Sequence, residues 1–173
     1  MRYALFTASL LASTLMLASG CGKATEVAQE KAIEAALSQD GVKADVELDS
    51  KGDAVSYTST TDDGTTMSAG DNVKLPEKFP ADIPVVEGWK IQLVTGLAEK
   101  NMFNVMAVSQ KKMDEVADFY KKELAAKGWK EITSTSVPGM MRTAEYEKEN
   151  RATVVIISSS EEGTLVNLST GDK

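Results

Sequence analysis

From Lys130 to Thr170 four short runs read as strands. They are Lys130 to Val137, Met141 to Lys148, Ala152 to Ser159 and Thr164 to Thr170. Only Pro138-Gly139, Glu149-Asn150 and Glu161-Glu162-Gly163 separate them as turns. Connections this short join antiparallel neighbours, because a parallel return needs a long crossover. Upstream, Met113, Val116, Ala117, Tyr120 and Leu124 recur at helical spacing. Gly128 follows as a C′ glycine, and Trp129 falls where a Schellman motif makes its hydrophobic contact. Two earlier runs read as strands: Trp89 to Thr95, with Trp89, Ile91 and Leu93 on one face, and Met102 to Val108. The order ββα followed by four strands predicts an α+β domain over residues 89–173. It is a mostly antiparallel sheet with one long helix, 112–127, packed on a face. Val154-Val155-Ile156-Ile157 is apolar on both faces, as for a central strand covered on both sides.

Before this domain the period changes twice. Residues 22–41 read as a polar, Ala-rich helix with Thr25 as N-cap and Asp40-Gly41 as its end. Val27, Ala32, Ile33, Ala36 and Leu37 give it only a narrow apolar stripe. It is expected to be a spacer, or a helix docked loosely on the domain. Residues 42–73 alternate in three runs, Val42 to Leu48, Ala54 to Thr60 and Thr65 to Ala69, with turns at Asp49 to Asp53 and Asp62-Asp63-Gly64. This small β-meander holds too few large apolar residues to stand alone and should pack on something. Residues 74–88 form a connector in which Pro76, Pro80 and Pro84 recur every four residues. Proline favours extended geometry in its predecessor, so a stiff, extended strap is expected, pinned to the core by Phe79 and Ile83. A polyproline-type ligand for a partner is the alternative.

Residues 1–20 have the form of a secretion signal. Arg2 is the positive n-region, Tyr3 to Leu17 the apolar stretch, and Ala18-Ser19-Gly20 the small residues before a cleavage site. Leu17-Ala18-Ser19-Gly20-Cys21 resembles the lipobox of bacterial lipoproteins, with the leucine one position further from the cysteine than is usual. The resemblance implies that Cys21 is lipidated and becomes the first mature residue. Two or more acyl chains then give stable membrane attachment where one would be marginal. The other readings are a plainly secreted chain with a lone free thiol, and a retained anchor. Gly22, rather than aspartate, follows the cysteine. By resemblance to enterobacterial sorting, that implies the outer membrane, facing the periplasm, if the organism has one. Residues 21–41 would be the anchor and helical spacer.

Composition narrows the chemistry. The chain has one cysteine, no histidine and a net charge of −7. An acidic surface argues against nucleic acid as a partner. Without histidine or a free thiol, Cys–His and Ser–His–Asp catalysis and the usual zinc or copper ligand sets are excluded. No cofactor or metal site is expected, and no intramolecular disulfide can form. Ser109 and Lys112 have the S-x-x-K spacing of penicillin-binding enzymes, but no partner motif accompanies them. Ser109 is more simply a helix cap. Asp62-Asp63 and Glu161-Glu162 could pair as acid and base across a substrate, but both sit in predicted turns, where acidic residues are ordinary. Asp45, Glu47, Asp49 and Asp53 fail the calcium-loop template, since Ser50 stands where glycine is required. Met102, Met106, Met113, Met140 and Met141 are expected to fill core gaps, with an adaptable groove as the alternative. Trp89 and Trp129, in matching Gly-Trp-Lys contexts, are expected in the core. Exposed, they and Tyr120 would be ligand or partner contacts.

Leu75-Pro76, Phe79-Pro80, Asp82-Ile83-Pro84, Gly88, Val116-Ala-Asp-Phe-Tyr120 and Gly128-Trp129 together resemble a broad group of poorly characterised bacterial lipoproteins, over residues 42–173. The resemblance implies the fold and an envelope location and supplies no catalytic residue. The expected role is non-enzymatic binding of an envelope protein or a small ligand, in a groove between helix 112–127 and the sheet or along an open sheet edge. The competing classes are an enzyme using carboxylate or lysine chemistry, and a purely structural spacer.

Overall fold

The computed structural model describes residues 23–38, 41–49, 51, 53–71, 73–86 and 88–173. Cys21, Asp40 and Ser50 lie outside them. The elements are α1 (Lys23–Leu37), β1 (Val42–Leu48), β2 (Ala54–Thr61), β3 (Thr65–Gly70), β4 (Lys90–Leu97), β5 (Met102–Ser109), α2 (Met113–Ala126), β6 (Lys130–Val137), β7 (Met141–Lys148), β8 (Arg151–Ser160) and β9 (Gly163–Asp172). The fold is α+β, as the periodicities predict. All nine strands form one antiparallel sheet in the order β1-β2-β3-β4-β5-β9-β8-β7-β6.

The chain builds five neighbouring strands, jumps to the far edge, and walks back until β9 pairs with β5. Strand directions alternate, so β5 and β6 run parallel and need a crossover. At about 1.5 Å per residue the 14-residue α2 is about 21 Å long. Four inter-strand steps of about 4.8 Å span about 19 Å, so α2 is long enough to carry the chain over β9, β8 and β7. Its stripe of Val116, Tyr120 and Leu124 is buried against Val155, Ile157, Val166 and Leu168 on one face of the sheet, hereafter the inner face. The Glu115 carboxylate accepts from the Lys112 N–H (2.9 Å) at the start of α2. Ser109, fully buried, accepts instead from the Lys111 N–H (3.2 Å) and turns the chain before the helix; it is not the cap. At the other end Gly128 has φ +84°, and the Trp129 and Gly128 N–H groups donate to the carbonyls of Leu124 and Ala125, both at 3.0 Å. This is the Schellman arrangement expected from Gly128-Trp129.

The meander is not a separate layer. β3 pairs with β4 from Thr65↔Leu97 to Ala69↔Leu93, which extends the sheet sideways. Its outer edge is covered by α1. Ala44 N–H donates to Ser38 Oγ (2.9 Å), Val46 N–H to Glu34 Oε1 (3.3 Å) and Leu48 N–H to Glu30 Oε1 (3.2 Å). Four helical residues rise about 6 Å and two strand residues about 6.7 Å, so side chains at i, i+4 and i+8 match alternate edge amides. The helix thus satisfies donors that an open edge would present to another chain. It begins at Lys23, so Thr25 lies inside its first turn rather than ahead of it.

Several expectations are corrected. A bulge between Ile91 and Leu93 puts these two residues on opposite faces, with Ile91 beside Ala107 and Leu93 beside Met106. The connector is not extended: Phe79 N–H donates to Pro76 O (2.9 Å) and Ile83 N–H to Pro80 O (3.1 Å), so two of the prolines open turns. β8 is covered on one face only, which leaves Ile156 exposed and Val154 half-buried. Met102, Met140 and Met141 are exposed rather than core; of the five methionines, Met113 packs against the core.

The connector still pins the core, through Ile83 and Val86 in the central cluster and Phe79 edge-on to Phe103 (5.6 Å between centroids). Phe103 in turn lies over Gly96, where an added Cβ would meet its ring at 2.8 Å. Asp82 receives Lys148 Nζ at 2.8 Å and both terminal nitrogens of Arg151. The Arg151 guanidinium lies 4.9 Å from the Trp129 ring centre. These contacts tie the connector to the β7–β8 hairpin. The hydrogen bond from Arg151, supported by Lys148, holds the Asp82 carboxyl well below the usual range. A depressed carboxylate stabilises the fold fully above its unfolded value near ~4 and loses that contribution as pH falls toward the folded value. Asp82→Asn is therefore expected to cost about 2 kcal/mol at neutral pH, with the gap to wild type narrowing near pH ~3. Urea unfolding at the two pH values checks this, and an equal gap at both would overturn it.

The α1 contacts make a second prediction. Replacing Glu30 and Glu34 together by Ala should speed amide hydrogen exchange at Val46 and Leu48 by roughly tenfold, with Leu168 unaffected. Unchanged exchange at these two amides would show that the carboxylates do not protect the edge.

Candidate functional site

A cleft of about 200 Å³ lies between α2 and the β6–β7 side of the sheet. Its floor is formed by Ala144, Tyr146, Val155 and Ile157, which share the inner face by cross-strand register. Tyr120 enters from α2. Glu131, Ser134 and Ser136 form the far wall, since their register with Tyr146, Ala144 and Arg142 places them on the same face. Asp118 and Lys121 line the helix side. The site is apolar below and polar around the rim.

Two donors on residues that line it lack partners. Tyr120 Oη and Arg142 Nε are buried and have no hydrogen-bond partner among the described residues. Arg142 is oriented from its outer end, where Nη2 lies 2.6 Å from Asp114 Oδ1. Burial pushes the Tyr120 phenol far above its ordinary value. Burial, and secondarily the Glu131 charge, pushes Tyr146 up to about 12. Both phenols therefore stay protonated at neutral pH and act as hydrogen-bond groups rather than bases. An unpaired buried hydroxyl costs about 1–3 kcal/mol, so the cleft carries a cost that a bound acceptor would relieve.

The three tentative contact residues are placed differently from one another. Trp129 is buried beneath Arg151, with its indole Nε1 unpartnered among the described residues. Trp89 is half-buried, 6.4 Å from the Tyr120 ring and packed on the same core. Neither lines the cleft; Tyr120 does. Sequence reasoning missed Arg142 and Tyr146. The available signal was the alternation of Arg142, Ala144 and Tyr146, which points an arginine toward the helix side.

The other candidates are dispersed. Asp62-Asp63 and Glu161-Glu162 occupy turns at opposite ends of their strands: Asp63 bonds Thr61 and the Thr65 N–H, while Glu162 accepts from Gln92 (3.2 Å). Asp49 Oδ1 accepts the Lys51 and Asp53 N–H groups (2.8 and 3.0 Å) and shapes its turn. Among the described residues no group of three or more potential metal ligands converges. Ser109 is buried away from the cleft.

A family model described as START domain-like matches residues 91–164, from the start of β4 to the start of β9, and so includes the cleft. No curated protein and no solved structure matches the chain.

Tyr120→Phe is expected to leave stability unchanged or raise it by about 1 kcal/mol, because it removes an unpaired buried hydroxyl. Thermal unfolding of the ligand-free protein checks this, and a clear loss of stability would mean that the hydroxyl already has a partner.

Proposed function

We propose that this chain is a lipid-anchored bacterial lipoprotein with a non-enzymatic role in the cell envelope, and that it works by binding in the cleft under α2. The observation that carries the binding half is the pair of buried, unpartnered donors, Tyr120 Oη and Arg142 Nε, above an apolar floor. Such a site suits an occupant that is apolar at one end and accepts hydrogen bonds at the other. Its volume is below the roughly 300–1,000 Å³ of drug-sized sites, so it takes a small molecule, or one group or side chain of something larger. Phenols that stay neutral favour holding a ligand over moving a proton. The anchor half rests on the lipobox resemblance ending in Cys21; among the described residues no helix is long and apolar enough to cross a membrane.

Two experiments test the two halves separately. Cys21→Ser should move the protein out of the membrane fraction; retention there would defeat the anchor. For binding, a photo-crosslinking residue at Ser134, on the cleft wall, should yield a reproducible adduct in intact cells, identifiable by mass spectrometry. Ala144→Trp, which fills the floor, should abolish that adduct. The same adducts with and without the filling substitution would exclude the cleft as the binding site.

A further inference from the structure

The connector starts and ends at one end of the sheet and is latched at the other. At its base Lys90 Nζ lies 3.1 Å from Asp71 Oδ1, which joins the end of β3 to the start of β4. Its tip, Ala81-Asp82, reaches the other end of these strands. There Asp82 binds Lys148 and Arg151. Arg151 stands opposite Asp172, whose carboxylate accepts from Asn101 (3.1 Å) in the β4–β5 turn. Phe79 meets Phe103, opposite Gly96, at that same end. The strap thus runs the length of β4, about 26 Å, over the inner face and back.

It lies on the sheet without joining it. Its backbone hydrogen bonds, Phe79 to Pro76, Ile83 to Pro80 and Trp89 to Val86, close turns along the segment. Among the described residues the polar contacts of the tip with the rest of the protein run through side chains: Lys148 and Arg151 on Asp82, and Lys127 Nζ on the Ala81 carbonyl (3.3 Å). Asp82, Lys148 and Arg151 each stay about a quarter exposed, so water can reach the latch. Gly70 (φ +129°) and Gly88 (φ +76°) flank the strap, which places residues of wide conformational freedom at both ends.

The core below it is imperfectly satisfied. Of the four buried side-chain donors without a partner among the described residues, Trp89 Nε1, Tyr120 Oη and Trp129 Nε1 belong to, or pack on, the cluster that Ile83 and Val86 complete. Each opposes the closed state, because water would satisfy it in an open one. The Arg151 guanidinium that binds Asp82 is also the group over the Trp129 ring.

We propose that residues 73–86 form a lid that opens as a unit while the sheet and α2 stay folded, with Asp82 as its latch. A segment held by side chains, outside the backbone ladder, opens at lower free energy than the strands beneath it. Because Tyr120 also lines the cleft, the open lid extends the cleft toward β9. That consequence rests on the cleft being a binding site; the lid itself does not, and its test uses the ligand-free protein.

Val86, on the strap, and Val116, under α2, are equally inaccessible, at 1% and 0% exposed. In the full-length protein Val86→Cys should react with a thiol reagent at least roughly 100-fold faster than Val116→Cys, at a rate nearly independent of urea below the unfolding transition. The wild-type chain run in parallel accounts for Cys21. Adding Asp82→Asn should speed the Val86→Cys reaction about tenfold. Equal rates at the two cysteines with the same urea dependence would mean that the strap leaves only when the whole protein unfolds, and would overturn the lid. No change with Asp82→Asn would overturn the latch. Should Val86→Cys fail to fold, hydrogen exchange of the Trp129 indole N–H against the Leu168 amide in the wild-type protein makes the same comparison.

Discussion

The burial of one helical stripe, Val116, Tyr120 and Leu124, against β8 and β9 is the interaction on which the rest depends. The sheet carries its large buried residues on the inner face of β5, β9 and β8 and has nothing else there to cover them in the middle. The stripe can reach them only because α2 leaves β5 and returns at β6, four strands away. Crossover and core are therefore one requirement. The same geometry fixes the return path, because after β6 each short turn can only lay the next strand alongside the last. β9 then closes the sheet by pairing with β5 through seven consecutive residues, Phe103↔Thr170 to Ser109↔Thr164.

Two sheet edges remain, and they are treated differently. At β1 Glu30 and Glu34 of α1, with Ser38 just after it, supply acceptors for three edge amides, which an added strand would otherwise satisfy. Among the described residues no helix or strand lies outside β6. The register slip between Glu131 and Thr133, together with the charged Lys130-Glu131 pair, disturbs one end of that edge. The acidic side of α1 is occupied with β1, which explains why Val27, Ile33 and Leu37 stay exposed. Its apolar stripe is too narrow to hold it, and its carboxylates do so instead.

Local order was legible in the sequence because it depends on local rules. The turn residues Pro138-Gly139 and Glu149-Asn150 bound β6 at 137 and β7 at 148, and Gly128-Trp129 marks the end of α2. What was not legible depends on partners remote in sequence. Nothing local distinguishes a meander that packs on a face from one that extends the sheet, because β3 and β4 pair through residues about 30 positions apart. The bulge at Gln92 was invisible because Trp89, Ile91 and Leu93 alternate perfectly. The prolines at 76 and 80 were read for their effect on the preceding residue, while their place at the start of turns was overlooked. The cleft was legible only as a location, under helix 112–127. Its unpaired donors could not be read, because an unpaired buried atom is a property of everything around it.

The position of the cleft follows from widths. Five strands from β5 to β6 span about 19 Å, and a helix with its side chains covers about 10–12 Å. The connector shields the β5 side, with Phe79 against Phe103 and Ile83 and Val86 in the core, held down by Asp82 on Lys148 and Arg151. α2 covers the centre. What they leave open is the inner face of β6, whose residues are all exposed, with Arg142 of β7 beside it, and there the composition changes from valine and leucine to Glu131, Ser134 and Ser136. Were the cleft only a packing defect, apolar residues would line it to its edge. Instead the uncovered strip is polar at the rim, apolar at the floor, and bordered by Tyr120, whose hydroxyl has no partner among the described residues. Because the connector and α2 are each fixed by independent contacts, neither can slide over to fill the gap. The opening is thus built into the arrangement that stabilises the core.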